Sequence, residues 1–339
     1  MFFFLFAFLS VFNWYNRGPV GDSSDVSEIY IEPGDPLAFR RAAYTLKKNE
    51  IIKNVKFFLL LGKISGADRK AKGGYYTLSS GLSTIEIIRR ISDGSSDTIT
   101  VTIKEGFDIY DTAALLTDLN IISNENMFIR LCESTYVINL IERKTGLQGI
   151  TNAEGFLYPD TYRIKKGSSA PLLIELALEN FIQKYKDFLK ENNMRKKFIY
   201  YLKVASLVEK ETALEEERGL VAGVLYNRLK VGEKLRYDPS IIYAMKKKGI
   251  YRHNLTEKGV RIRRVHFYLK SQFNTYYTKG LPPHPICSPT VEAMNAAVKP
   301  AETSFMFFVA KDNERGEHAF SITYDEHLSN IQKYQLSQK

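Results

Sequence analysis

The octapeptide ASLVEKET, residues 205–212, carries a carboxylate into an otherwise apolar helical stripe. At the helical period Val204, Leu207, Val208 and Glu211 fall on one face, so Glu211 stands where a core residue belongs. Glu209, separated from it by Lys210 alone, points away from that face, and the two acids are not interchangeable. A carboxyl group flanked by apolar side chains is poorly hydrated in its charged form. Its pKa rises, and it becomes usable as a general acid near neutral pH. The alternative for the same residue is a rim glutamate paired with Arg218 or solvated at a helix end.

Other segments hold groups that suit a polar ligand. EGFLYPDTYRI, residues 154–164, sets Glu154 and Asp160 among Phe156, Tyr158 and Tyr162. Aromatic faces alternating with carboxylates fit sugar rings, which offer apolar C–H faces and hydroxyl rims; the same aromatics could equally cap a core. GLPPHP, residues 280–285, is a rigid loop poor in hydrogen-bond donors. With Asn274, Thr275, Tyr276 and Tyr277 before it, it makes a suitable cleft wall. The two cysteines, Cys132 and Cys287, lie far apart without ligand neighbours at metal spacing, which points to buried unpaired thiols and to no zinc site or disulfide framework.

The elements that position these residues are mainly helical. Residues 172–188 read as one long amphipathic helix, followed by the helix bearing Glu211. The run through Asn227, Arg228 and Leu229 stays helical and stops at Gly232. Asp238-Pro239-Ser240 opens another helix with Asp238 as N-cap and Pro239 in the first turn, and capping is a sufficient reason for that aspartate. Ser288-Pro289 begins a helix that ends before Pro300. SFMFFVA and HAFSIT form a hairpin, and Thr323 to Glu326 is a capping box.

Nearer the start, residues 29–52 and 98–122 both read as a strand ending in Ile-x-x-Gly, a helix with paired alanines and an Ile-Ile pair, a diverged repeat. Between them residues 73–94 add a β-rich turn and a helix with Ile85, Ile88 and Ile91 inward. Such βααβ units resemble LysM-type modules that hold glycan polymers; an architectural spacer is the alternative. The opening run MFFFLFAFLSVF, with Trp14 and Tyr15 after it, reads as a membrane anchor followed by a polar linker over residues 18–27. A cleaved signal peptide is the rival, without a positive n-region or a small-x-small site. The fold class is α+β: an anchor over 1–16, a LysM-like domain over 27–96, a second strand-helix unit over 97–149, and a mainly helical domain with a small β element over 150–339.

Composition sets the class of partner. With 44% hydrophobic and 25% charged residues in 339, disorder is not the default. A formal charge of +10 favours a polyanion, whether anionic lipid, cell-wall polymer or nucleic acid. Nucleic acid is the poorest of these, because no recognised binding motif is present and the aromatics cluster with acids rather than with Arg and Lys.

Five motifs in order, EGFLYPDTY, ASLVEKET, NRLKVGEKLRYDPSIIY, FNTYYTKGLPPHPICSP and FMFFVA with GEHAFSITYDEH, resemble those of the endolytic murein transglycosylases, the MltG or YceG-like family. The likeness is strong over residues 154–327 and loose before that. It implies a single-pass inner-membrane protein with a LysM-like region and a periplasmic catalytic domain. Such a protein cuts nascent peptidoglycan strands between N-acetylmuramic acid and N-acetylglucosamine, leaves 1,6-anhydro ends and so limits strand length. In this reading Glu211, the acid of the K-E-T motif, is catalytic, and Glu154, Tyr158, Asp160, Asn227, Asp238, Asn274 and Tyr276 contact substrate. No metal or organic cofactor is implied, and the partners are glycan strands, the inner membrane and peptidoglycan synthases. The chain departs from the pattern at Gly232 to Arg236, where Arg236 replaces a neutral amide, at Phe273 for a tyrosine, and in the basic stretch 252–270. A non-catalytic glycan-binding scaffold is the alternative function.

Overall fold

The computed structural model describes residues 10, 12–16, 26–31, 37–94, 97–250, 262–311, 313 and 315–336. Most of the apolar opening run expected to anchor the chain, residues 18–25 of the linker after it and the basic residues 252–261 lie outside these, and the last two linker residues, Val26 and Ser27, belong to the first strand. No helix among the described residues is long and apolar enough to cross a membrane. The chain divides into two units, Met1–Thr100 with Arg163–Ser168, and Val101–Tyr162 with Ser169–Lys339.

In the first unit β1 (Val26–Ile31) is followed by α1 (Ala38–Lys48), α2 (Val55–Ser65), α3 (Ala67–Lys70), β2 (Gly74–Ser79) and α4 (Thr84–Asp93). β1 and β2 pair antiparallel from Val26 opposite Ser79 to Ile31 opposite Gly74. Alternation along the strands turns Ile29, Ile31, Tyr76 and Leu78 inward. They meet Phe39, Ala42, Ala43 and Leu46 of α1, and Phe39 stacks on Phe58 of α2 with ring centroids 4.9 Å apart. The α4 face differs from the expected one: Ile87, Ile88 and Ile91 are buried, whereas Ile85 is exposed. The Ser83 side chain caps α4 by accepting from the Glu86 N–H. That start sets the inward phase at Thr84, Ile87, Ile88 and Ile91 and turns Ile85 out.

The second sheet pairs β3 (Thr98–Ile103) with β4 (Asp160–Lys165). In the second unit α5 (Ile109–Asp118), α6 (Glu125–Cys132) and α7 (Thr135–Thr145) start at Asp108, Asn124 and Ser134, whose side chains cap them. The helix expected over 172–188 is two, α8 (Ala170–Lys184) and α9 (Lys186–Lys190). Tyr185 breaks it, and its buried hydroxyl donates to the carbonyls of Pro289 and Thr290. Then follow α10 (Asn192–Glu211), α11 (Glu215–Lys230) and α12 (Asp238–Lys247). α11 stops as read from the sequence, with Gly232 in the left-handed conformation just beyond it.

After a 3-10 turn at Arg264–Tyr268 comes α13 (Val291–Val298), which begins at a capping Thr290 rather than at Ser288-Pro289. The hairpin forms as expected from β5 (Phe307–Ala310) and β6 (His318–Ser321), with Phe307 opposite Ser321. The capping box at Thr323 starts α14 (Tyr324–Ile331). The core of this unit runs through α8, α10 and α11, where Phe181, Phe198, Leu202, Val204, Leu207, Val221 and Leu225 are all sealed from solvent.

Candidate functional site

Helix α10 delivers both acids of the octapeptide, and packing separates their fates. Val204, Leu207 and Val208 are fully buried, and Glu211 ends the helix on their side. Glu209 is absorbed by structure: Oε2 accepts from the Thr290 N–H at 2.9 Å and the Thr290 hydroxyl at 2.6 Å, and Oε1 lies 3.5 Å from the Arg218 guanidinium. Arg218 is therefore the partner of Glu209 and not of Glu211. Among the described residues Glu211 has no ion pair or hydrogen bond, and its Oε1 is sealed from solvent. The residue as a whole is half-buried.

Three effects act on this group in one direction. Burial raises its pKa first, the Asp238 carboxylate raises it further, and Arg228 opposes them only in part, leaving it at about 8. The last turn of a helix is also the negative end of its dipole, which disfavours an anion. Glu211 therefore carries a proton at neutral pH and can donate it.

Asp238 and Tyr276 are held beside it by one joint. Thr275 accepts from the Arg236 N–H at its carbonyl and from the Tyr237 N–H at its hydroxyl, while its own N–H donates to the Ser240 hydroxyl. This fixes the start of α12 against the 274–278 turn, and the Tyr276 hydroxyl donates to Asp238 Oδ1 at 2.6 Å. Asp238 is the first residue of α12 and not its N-cap; Tyr237 precedes the helix, and the aspartate turns to Tyr276. Burial, the hydrogen bond to Asp238 and the Glu211 charge all push the Tyr276 hydroxyl above its ordinary pKa, so it stays a donor.

Arg228 completes the neighbourhood. Its Nε donates to the Met306 carbonyl at 2.6 Å, a second nitrogen donates to the Leu235 carbonyl, and its guanidinium lies 5.2 Å from the Phe307 ring centroid. It was legible by the signal that singled out Glu211, a charge on an apolar stripe, here Val221, Leu225 and Arg228. Two clefts adjoin, sharing Lys234: one of about 420 Å³ lined by Arg228, Arg236 and Phe307 among others, and one of about 680 Å³ lined by Arg264, Phe267, Tyr276 and Tyr277.

The remaining sequence candidates stand elsewhere or face inward. Glu154 is 1% exposed; its Oε2 accepts from the Ile109 N–H and the Tyr243 hydroxyl. Phe156 and Tyr158 are buried against the rings of Phe181 and Tyr185, and Tyr162, buried beside them, donates its hydroxyl to the Tyr158 carbonyl. Gly155 permits that packing: it is left-handed at φ +88°, and a Cβ there would stand 2.8 Å from Pro285. Asp160 is exposed and accepts from Asn180 at 2.8 Å. Asn227 donates to the carbonyls of Thr303 and Phe305, and Asn274, fully buried, to those of Phe267 and Leu269, so both amides hold backbone. Cys132 and Cys287 are buried and unpaired. No group of three or more His, Cys, Asp or Glu side chains among the described residues is placed to hold a metal ion.

Fold and site define a class first: a mixed helix-and-sheet protein with a carboxyl group held protonated beside Asp238 and Arg228, the arginine lining a basic, aromatic cleft. The YceG-like family model matches residues 29–333, and the chain belongs to that family. It is 29% identical over 328 residues to the endolytic murein transglycosylase of Bacillus subtilis (strain 168), covering 92% of this chain and 86% of that protein. It is 27% identical to the endolytic murein transglycosylase of Streptococcus pneumoniae (strain D39), covering 91% of this chain and 59% of that protein. The crystal structure of a YceG-like protein from Listeria monocytogenes shares the fold, with a TM-score of 0.57 at 24% identity over 90% of this chain and 98% of that one.

Proposed function

We propose that this protein is a membrane-tethered lytic transglycosylase that cuts nascent peptidoglycan strands internally and so ends their elongation. The reading rests on one observation above all: Glu211 is a half-buried carboxyl group beside the cleft-lining Arg228, with a sealed, unpartnered oxygen and a pKa raised to about 8. The names of the relatives, murein transglycosylases from two bacteria, point to the same substrate.

In this mechanism Glu211 protonates the oxygen between N-acetylmuramic acid and N-acetylglucosamine. The resulting carboxylate then takes the proton of the muramyl C6 hydroxyl, whose oxygen closes on C1 to give the 1,6-anhydro end. Each proton lost by Glu211 is regained within one turnover, and water is not consumed. Ordinary glycosidases pair two carboxylates, with substrate-assisted enzymes as exceptions. Here Asp238 is engaged by Tyr276, and its charge serves to keep Glu211 protonated. The positive charge developing on the sugar is met by the substrate's own N-acetyl group and by the ionised Glu211.

Residues 1–16 are proposed as the anchor, with residues 27–96 as a LysM-like glycan-holding domain, 97–149 as a connector and 150–339 as the catalytic domain outside the cytoplasm, near peptidoglycan synthases. The test is mass spectrometry of purified glycan strands after incubation with the full chain and with Glu211→Gln. Anhydromuramyl ends should accumulate with the native chain and fall at least about 100-fold in the variant. Reducing ends would replace the reading with hydrolysis, and binding without cleavage would replace it with a scaffold role.

A further inference from the structure

We infer that the paired clefts beside Glu211 are an anion subsite that reads the carboxylates of the peptide stems carried by the glycan strand. This rests on the glycan-cleaving reading above and assigns specificity to residues the proposed mechanism leaves unused.

Four cations line the two clefts: Arg228, Lys234 and Arg236 in one, Lys234 and Arg264 in the other. Among the described residues none has a carboxylate within 4.0 Å, although other cations there are so paired, including Lys144, Lys246 and Lys247. Among the described residues Glu233 is the only acid lining either cleft. Bringing unpaired cations of one sign together costs free energy unless a ligand neutralises them.

Arg236 adds an independent observation. Among the described residues it is one of three non-glycine residues in the left-handed region, at φ 59°. The other two, Glu50 and Asn120, follow the C-caps Asn49 and Leu119 of α1 and α5, where that conformation is an ordinary helix stop. Arg236 stands instead between Leu235 and Tyr237, both buried, with its N–H fixed on the Thr275 carbonyl, and its side chain is thrown out to the cleft. Backbone strain held by the surroundings at a cleft is a mark of a functional position. An asparagine would suit this backbone better, so the arginine is there for its guanidinium, whose planar fork matches a carboxylate. The sugars of the strand are neutral at their hydroxyls, whereas the stems carry free carboxylates along the peptide, beyond the amide that joins it to the muramyl lactyl group. Phe307 and Tyr276 supply the apolar faces beside these charges.

The experiment compares strands bearing free-acid stems with the same strands whose carboxylates have been converted to carboxamides. Cleavage is read as kcat/KM for the full chain, Arg236→Asn and Arg236→Lys. Binding is read as Kd for Glu211→Gln with each strand, at low and high salt. The native chain should prefer acidic strands by about tenfold, or about 1.4 kcal/mol, and salt should erode this preference. Arg236→Asn should lose most of the preference and Arg236→Lys should keep most of it. Equal use of the two strands by the native chain, or a preference undiminished in Arg236→Asn, overturns the subsite. If no strand is cleaved, the lytic reading fails by itself, and the Kd values of the Glu211→Gln chain still decide the subsite: a tenfold preference supports it and equal affinity overturns it.

Discussion

Two carboxyl groups in the second unit meet nearly the same electrostatics and have different uses. Glu154 and Glu211 each hold Oε1 sealed and without a partner, and each has its pKa raised by burial first and by a neighbouring aspartate next, Asp108 for one and Asp238 for the other. Glu154, however, is closed on every side, and its second oxygen accepts two hydrogen bonds. It sits in a polar knot where Lys246 bridges Asp108 at 2.7 Å and also pairs with Asp111. Burial alone would lower the Lys246 pKa, but the two aspartates outweigh it and hold the ammonium charged. Glu211 differs in being only half-buried and in standing beside Arg228, which lines a cleft. Burial and a perturbed pKa therefore nominate a catalytic acid, and access to a ligand decides.

The sharpest way to break this contrast is to disturb the closed knot. Lys246→Met removes the ammonium that the buried carboxylates of Asp108 and Asp111 share, and should cost about 3 to 5 kcal/mol in denaturant unfolding. Strand cleavage per folded molecule should stay near native, and a loss of activity that exceeds the loss of folded protein would join the two regions.

A smaller effect tests the open site. Free in the unfolded chain Glu211 titrates near 4.5, and folded near about 8, so the folded state holds an extra proton between those values. The stability this gives is complete below pH 4.5 and lost as pH rises through about 8. Glu211→Gln has no such loss. From about pH 5 to about pH 9 it should gain on the native chain by about 2 kcal/mol, a figure reduced for the solvent reaching this half-buried group. A gap that stays constant with pH contradicts the assignment. Smaller still, Tyr276→Phe removes one charge-assisted hydrogen bond at a half-buried position and should cost about 1 kcal/mol by thermal melting; no change would mean that Asp238 is held without it.

What the sequence disclosed follows the range of the interactions involved. The Glu211 stripe, the Gly232 stop, the closing hairpin and the Thr323 capping box are set by neighbours within a few residues, and all four were legible. Glu154, Asn227 and Asn274 resembled substrate contacts because they stand in motifs with polar groups, but their partners are remote. Glu154 meets Ile109 and Tyr243 across 45 and 89 residues, and Asn227 meets Thr303 across 76. A motif marks such a residue as needed without saying whether it serves the ligand or the backbone. The break at Tyr185 escaped reading for the same reason, since the carbonyls that hold its hydroxyl lie 104 and 105 residues on. The left-handed Arg236 escaped because no residue type announces that conformation except glycine, asparagine and aspartate.

The central claim is that Glu211 works as an acid because burial and Asp238 keep it protonated. The pH dependence of kcat/KM for strand cleavage, measured for the native chain and for Asp238→Asn, tests it most directly. The account predicts that native activity falls as pH rises through about 8, and that removing the Asp238 charge moves this limb to lower pH. A limb near 4.5, or one that Asp238→Asn leaves in place, would contradict it.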